Sequence, residues 1–220
     1  MISVAIDGPA GAGKSTLSRK AAKALGFIYV DTGALYRAVG LKFSKSGADE
    51  SLSCDIEKIL AETTVDIRFI DGEQHVFLDD CDVNDEIRTP KASMMASAVS
   101  AKPAVRAYLL EMQRKLAREN NVLMDGRDIG TVVLPDATVK IFLTASAKVR
   151  AERRYKELLE KGSKVTFQEV YDDMVQRDYN DSHREIAPLK QAQDAVLADT
   201  SELDFDGSLQ LILNIVKERL

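Results

Sequence analysis

Gly8-Pro-Ala-Gly-Ala-Gly-Lys-Ser15 is the stretch on which the fold turns. It satisfies G-x-x-x-x-G-K-[ST] at every fixed position, a match that average residue usage produces on the order of once per hundred chains of this length. Its flanks agree with it. Ile2 to Ile6, just before, is a short apolar run of the kind a buried strand shows. Lys14 to Leu25, just after, places Leu17, Ala21, Ala24 and Leu25 on one helical face, and Gly26 stands where a left-handed C-cap belongs. Phe27 to Val30 then reads as a second short strand, ending at Asp31. Strand, glycine loop, helix and strand make a βαβ start, so the sheet should be largely parallel.

Working outward, Thr32 to Ser44 keeps helical register through Leu35, Val39 and Phe43, and Leu52 to Ala61 reads as another helix. The period then changes. Val65, Ile67 and Phe69 alternate with polar residues, Asp71-Gly72 intervenes, and Val76 and Leu78 follow, which is a hairpin signal. A hairpin is out of place in a βαβ array, so residues 63–84 are expected to be the core of an insertion, with 1–62 and 85–220 forming the main unit. From Pro90 the helical pattern returns, with Val105, Leu109, Met112 and Leu116 as its apolar stripe. Val122 to Met124, Val139 to Leu143 and Ala195 to Ala198 are the remaining candidate strands. Lys148 to Lys161 is a charged helix closed by Gly162. Thr166-x-x-Glu169 is a capping box opening the next helix, and Leu209 to Leu220 is an amphipathic closing helix.

The 220 residues suit one α/β unit with an insertion. Apolar residues are 45% and charged residues 30% of the chain, with a net charge of −5. That balance argues against long nucleic acid, whose binders carry a basic face, but leaves small anions open to a local arginine cluster. No apolar run reaches the roughly 18 residues that cross a bilayer, and no basic segment precedes the N-terminal apolar stretch. A cytoplasmic protein with no membrane partner is the expectation. Cys54 and Cys81 belong to no CxxC pair, and only His75 and His183 could join them, so free thiols are expected rather than a zinc site.

The glycines of the loop let backbone N–H groups turn inward on phosphate oxygens, and the following helix adds its positive end. Gly8, Pro9, Ala10, Gly11, Ala12, Gly13, Lys14, Ser15 and Thr16 are therefore the expected ATP cradle. In it Lys14 reaches the β- and γ-phosphates, and the Ser15 hydroxyl coordinates magnesium. Ligands of such sheets bind at the carboxyl ends of the strands, which brings in Asp125-Gly-Arg-Asp128 and Asp31-Thr-Gly-Ala-Leu-Tyr-Arg37. Thr32 is also a candidate helix cap. Arg37, a cation early in a helix, opposes the dipole and calls for a nearby anion. Arg150, Arg153 and Arg154 share a helix face, as a lid over ATP would need. Arg177 and Arg184 are further candidates, with Asp178 and Asp181 close in sequence. No N-K-x-D string is present, and neither Asp7-Gly-Pro-Ala nor Asp125-Gly-Arg-Asp completes D-x-x-G, so a GTPase switch is disfavoured. Another small-molecule kinase remains as the rival reading.

These residues resemble the bacterial cytidylate kinases of the nucleoside monophosphate kinase family. The resemblance rests on GPAGAGKST at 8–16, DTGALYR at 31–37, VSAKPAVR at 99–106, DGRDIGTVVLPDA at 125–137 and QRDYNDSHREIAPL at 176–189. It implies a three-layer P-loop fold: a five-stranded parallel sheet with helices on both faces, a small mainly β insertion that binds the monophosphate, and a lid at about 148–165. It implies ATP and CMP or dCMP as substrates, magnesium as cofactor and a monomer. It also implies roles for residues. Thr32 and Arg37 would hold the acceptor phosphate, helped by Arg127 and Arg184. Ser97, Arg106 and Asp128 would read the cytosine edge, and Arg177 and Asp181 would contact ribose and phosphate. Asp125 would serve either the acceptor network or the magnesium shell. Lys14, Arg127 and the lid arginines, Arg154 included, would stabilise the transferring group. An acceptor phosphate is mostly ionised at pH 7, so transfer to it needs no general base.

Overall fold

The computed structural model describes residues 1–160 and 162–220. Strand β1 (Ser3–Asp7) enters the glycine loop and leaves it as helix α1 (Lys14–Leu25). Then come β2 (Ile28–Asp31), α2 (Thr32–Lys45) and α3 (Ile56–Ala61). Strands β3 (Val65–Ile70), β4 (Glu73–Leu78) and β5 (Cys81–Asp82) follow. Helices α4 (Pro90–Ser100) and α5 (Pro103–Glu119) lead to β6 (Val122–Gly126), a π-helical turn (Ile129–Val133) and β7 (Val139–Thr144). Helices α6 (Ala147–Glu160) and α7 (Phe167–His183), strand β8 (Val196–Asp199) and α8 (Phe205–Lys217) complete the chain.

The main sheet has the order β2-β6-β1-β7-β8, and every pairing in it is parallel. Alternation along the strands sorts the core into two faces. Val4, Ile6, Leu123, Ile141 and Leu143 meet Leu17 and Ala21 of α1 and Ile212 and Val216 of α8. Ala5, Val30 and Met124 meet Ile129 and Val133, with Leu110 and Leu116 of α5 packed behind. A third cluster joins α2, α4 and α5 to the small sheet through Leu35, Phe43, Val76, Leu78, Met95 and Leu109. The register sets Asp7 beside Gly126 and Asp31 beside Asp125, so three strand ends finish at one level.

The differences from the sequence reading have local causes. The antiparallel sheet β3-β4-β5 has three strands, not a lone hairpin. Its second turn passes through Asp79 and Asp80 at φ 49° and 62°, and aspartate enters that region without advertising it as glycine would. The helical stretch from Pro90 is two helices. Lys102 is extended at ψ 125°, as the residue before Pro103 must be, and the helix restarts at the proline. Helix α3 begins at Ile56 because Asp55 caps it, accepting from the Lys58 N–H. Asp204 caps α8 in the same way, so that helix begins at Phe205, four residues ahead of the expected Leu209 start. The expected helix end at Lys161 lies outside the described residues. The π-helical turn was not expected at all. Cys54 and Cys81 are free thiols, and no helix among the described residues is long and apolar enough to cross a membrane.

Candidate active site

The glycine loop is shaped by backbone that only glycine tolerates. Gly8 has φ 154°, and a Cβ there would lie 2.0 Å from the Leu143 carbonyl oxygen. Gly13, at φ 82°, is the N-cap of α1 and offers no side-chain cap, so the first N–H groups of the helix keep no side-chain partner there. Lys14 is buried and folds back to donate to the Pro9 carbonyl oxygen at 2.7 Å. Burial first, and then the charge of Arg127, hold its pKa well below the usual lysine range.

Asp125, at the end of β6, is the centre of the loop's far wall. It accepts from the Ser15 hydroxyl at 3.0 Å and the Tyr29 hydroxyl at 2.8 Å. Burial and the neighbouring Asp31 charge raise its pKa. Thr32 is buried and donates through Oγ1 to the Asp125 carbonyl oxygen at 2.8 Å. The cap of α2 is Asp31, not Thr32: Asp31 Oδ1 accepts from the Ala34 N–H at 2.9 Å. The anion that Arg37 calls for is also Asp31, whose Oδ2 lies 2.9 Å from the guanidinium.

A second group sits beyond Asp125. Arg127 donates to Asp181 at 2.7 Å. Burial would raise the Asp181 pKa, but Arg127, Arg177 and Arg184 together outweigh it and hold it low. Arg177 makes no hydrogen bond or ion pair among the described residues, and burial together with the charges of Arg127 and Arg37 lowers its pKa. Asp128 pairs with Arg106 and, at 3.3 Å, with Arg184, and burial raises its pKa in spite of both. Arg184 and Ser97 line a cavity of about 290 Å³ with Ser100, Tyr179 and Asp181.

On the other side of the loop, a cavity of about 410 Å³ is lined by Gly11, Gly13, Thr16, Arg154, Leu203 and Phe205. Two of the three arginines of α6, Arg153 and Arg154, line this cavity. Arg150 is buried and fully engaged, donating to the Ala145 and Ala10 carbonyls at 2.9 and 2.8 Å and pairing with Asp178 at 2.6 Å. Arg153 holds the Thr200 carbonyl at 2.9 Å. Arg154 pairs with Glu157 at 2.8 Å on the cavity wall.

Most of the residues singled out from sequence therefore converge on the strand ends, in a cavity beside the glycine loop, a cationic centre and a cluster around Asp128. Arg150 and Arg153 are tied to protein carbonyls, Arg150 to Ala10 of the glycine loop itself, and Arg153 also lines the cavity of about 410 Å³. Sequence reasoning missed Tyr29, Ser100 and the far cavity wall at Leu203 and Phe205, and it gave Asp31 a place at the strand end but no role. The register of β2 against β6 brings Asp31 in, and no spacing rule announces it. Among the described residues no three His, Cys, Asp or Glu side chains form a metal cluster. Ser15 and Asp125 are nonetheless a hard-oxygen pair of the type that suits magnesium, which one carboxylate and substrate phosphates ordinarily hold.

Comparison with known proteins bears on this geometry. A family model described as cytidylate kinase matches residues 4–218. The cytidylate kinase of Caldicellulosiruptor bescii is 50% identical over 214 residues, covering 97% of this chain and 95% of that protein. The cytidylate kinase of Caldicellulosiruptor saccharolyticus is likewise 50% identical over 214 residues, with the same coverage. In fold, the chain is similar to a shikimate kinase from Bacteroides thetaiotaomicron, with a TM-score of 0.51 at 14% identity and 98% coverage of both chains.

Proposed function

The chain belongs to the cytidylate kinase family, whose members phosphorylate a nucleoside monophosphate with ATP, and from that premise we propose that it converts CMP and dCMP to CDP and dCDP by direct in-line transfer with magnesium. The observation that carries the reading is the crowding of cations around Arg127, whose charge bears on both Lys14 and the half-buried Arg177, while Arg177 closes no ion pair among the described residues. Cations so placed repel one another unless an anion sits between them. A transferring phosphoryl group is such an anion, and catalysis of its transfer is mostly positioning and electrostatic stabilisation.

The donor base takes the cavity walled by Leu203 and Phe205, and its phosphates run down the loop to Lys14. The acceptor base takes the side of Ser97, Arg106 and Asp128, with Arg184 behind. Its phosphate sits against Arg37, Arg127 and Arg177, and Asp181 orients Arg127 and meets the ribose. Thr32 serves that phosphate by fixing the strand end, since its hydroxyl is held by the Asp125 carbonyl. Ser15 and Asp125 would hold magnesium, which supplies Lewis-acid charge neutralisation on the donor phosphates when bound. The strands at 63–84 form the monophosphate side of the cleft, and residues at about 148–165 form a lid, with Arg154 as its arginine facing the donor. Water is kept from the donor when that lid closes.

The test is ADP release with magnesium and ATP, scanned over CMP, dCMP, UMP, AMP, GMP and no acceptor. Strong turnover with CMP and dCMP and little with purines upholds the reading. Turnover that prefers another acceptor keeps the phosphotransferase and removes the cytosine assignment.

A further inference from the structure

The turn that carries the base-side carboxylate does not cap itself. Asp128 occupies the N-cap position of the π-helical turn, yet its side chain makes no capping bond. An aspartate there ordinarily accepts from backbone N–H groups of the first turn. Here those donors are satisfied from elsewhere. The Ile129 N–H donates to Asp7 Oδ1 and the Gly130 N–H to Asp7 Oδ2, each at 2.7 Å. Asp7 is 4% exposed and closes β1, immediately before the glycine loop. The β1–β6 register brings it there by setting it beside Gly126. Gly130 leaves little room to spare, since a Cβ at that position would lie 3.4 Å from Asp7 Oδ2 and 3.2 Å from Lys140 Cδ.

We propose that Asp7 is a positioning residue for acceptor recognition: by capping the turn from the neighbouring strand it frees the Asp128 carboxylate to face Arg106 and Arg184. The proposal rests on the reading of those three residues as the base-side set. Without Asp7, two buried N–H groups lose their acceptor, which a fold rarely tolerates. The nearest replacement is the carboxylate of Asp128 itself. Turned onto the Gly130 N–H, it leaves the two arginines unanchored. One carboxylate at the root of the phosphate loop thus sets the geometry of the other substrate's base site.

The experiment compares Asp7→Asn with the wild type, with Asp7→Thr beside it as a single-acceptor variant in case the first accumulates poorly. The KM for CMP is expected to rise about tenfold while the KM for ATP stays within about twofold, and the preference for CMP over UMP falls. In an Asp128→Asn background the same change at Asp7 adds little, because its route is already cut. A crystal structure of the variant shows Asp128 turned onto the Gly130 N–H. Parallel rises in both KM values, or an undiminished penalty in the Asp128→Asn background, overturn the proposal. The crystallographic arm needs no cytidine chemistry. If the wild type prefers another monophosphate, a rotated Asp128 still upholds the capping role and an unmoved one ends it.

Discussion

At the scale of single residues, the site spends stability on charge. Arg177 lies in the field of Arg127 and Arg37 and, although Asp181 and Asp173 attract it, it closes no ion pair among the described residues. Arg177→Ala should therefore lower kcat/KM about a hundredfold or more, as loss of a preorganised donor does, while the melting temperature holds or rises. A matching fall in melting temperature would show that the arginine is structural. Asp7 makes a second prediction, through pH. Burial, resisted by the Gly130 and Ile129 N–H groups, pushes its carboxyl up from 3.8 to about 6. The folded state thus holds the proton more tightly than the unfolded chain does. The stability this contributes is complete below about pH 3.8 and is lost as pH rises through about 6. In Asp7→Asn that dependence is gone. Urea unfolding should show the variant gaining on the wild type, by up to about 3 kcal/mol, between pH 4 and pH 7.5. A constant offset across that range would contradict the assignment.

At the scale of elements, legibility followed the strength of the local signal. The glycine loop, its two flanking strands and α1 were readable because glycine, lysine and period agree there. Arg127 was readable because it follows a strand end, whereas Arg37 and Arg177 lie inside α2 and α7. Caps fared worse. Asp31 rather than Thr32 caps α2, and that same carboxylate neutralises Arg37, so one residue answers two questions that the sequence poses separately. The π-helical turn was illegible because its cap comes from Asp7, distant in the chain and near only through strand pairing. Helix packing was hidden as well. Gly40 of α2 reads as an unfavourable residue in mid-helix, yet a Cβ there would lie 2.9 Å from Met95 Cβ and 3.1 Å from the Ala96 nitrogen. Close approach of α2 and α4 explains it. Gly40→Val should overpack that contact and cost about 1–3 kcal/mol, read as a drop in melting temperature of several degrees. A neutral result would mean that the two helices can part without loss.

At the scale of the whole molecule, what matters is how the antiparallel sheet communicates with the phosphate end of the main one. The Gln74 side chain of β4 makes a two-point bridge to β2, accepting from the Asp31 N–H at 2.7 Å and donating to the Asp31 carbonyl at 3.2 Å. Its amide completes the open edge of β2 as a neighbouring strand would, and it does so at the residue that neutralises Arg37. A shift of the small sheet must therefore pull on Asp31, and through it on the arginine assigned to the acceptor phosphate. Other ties bind the small sheet to α2 rather than to β2, among them the Lys42–Asp79 pair at 2.6 Å. Arg19 and Glu73 stand 3.7 Å apart and are both substantially exposed, which makes their pair worth little. Gln74→Ala should leave the glycine loop, and so the KM for ATP, unchanged. It should raise the KM for CMP by a few-fold, the worth of about one neutral hydrogen bond. Arg19→Ala should move neither constant. If Gln74→Ala instead lowers kcat with both KM values intact, the bridge governs closure of the cleft rather than the seating of the acceptor.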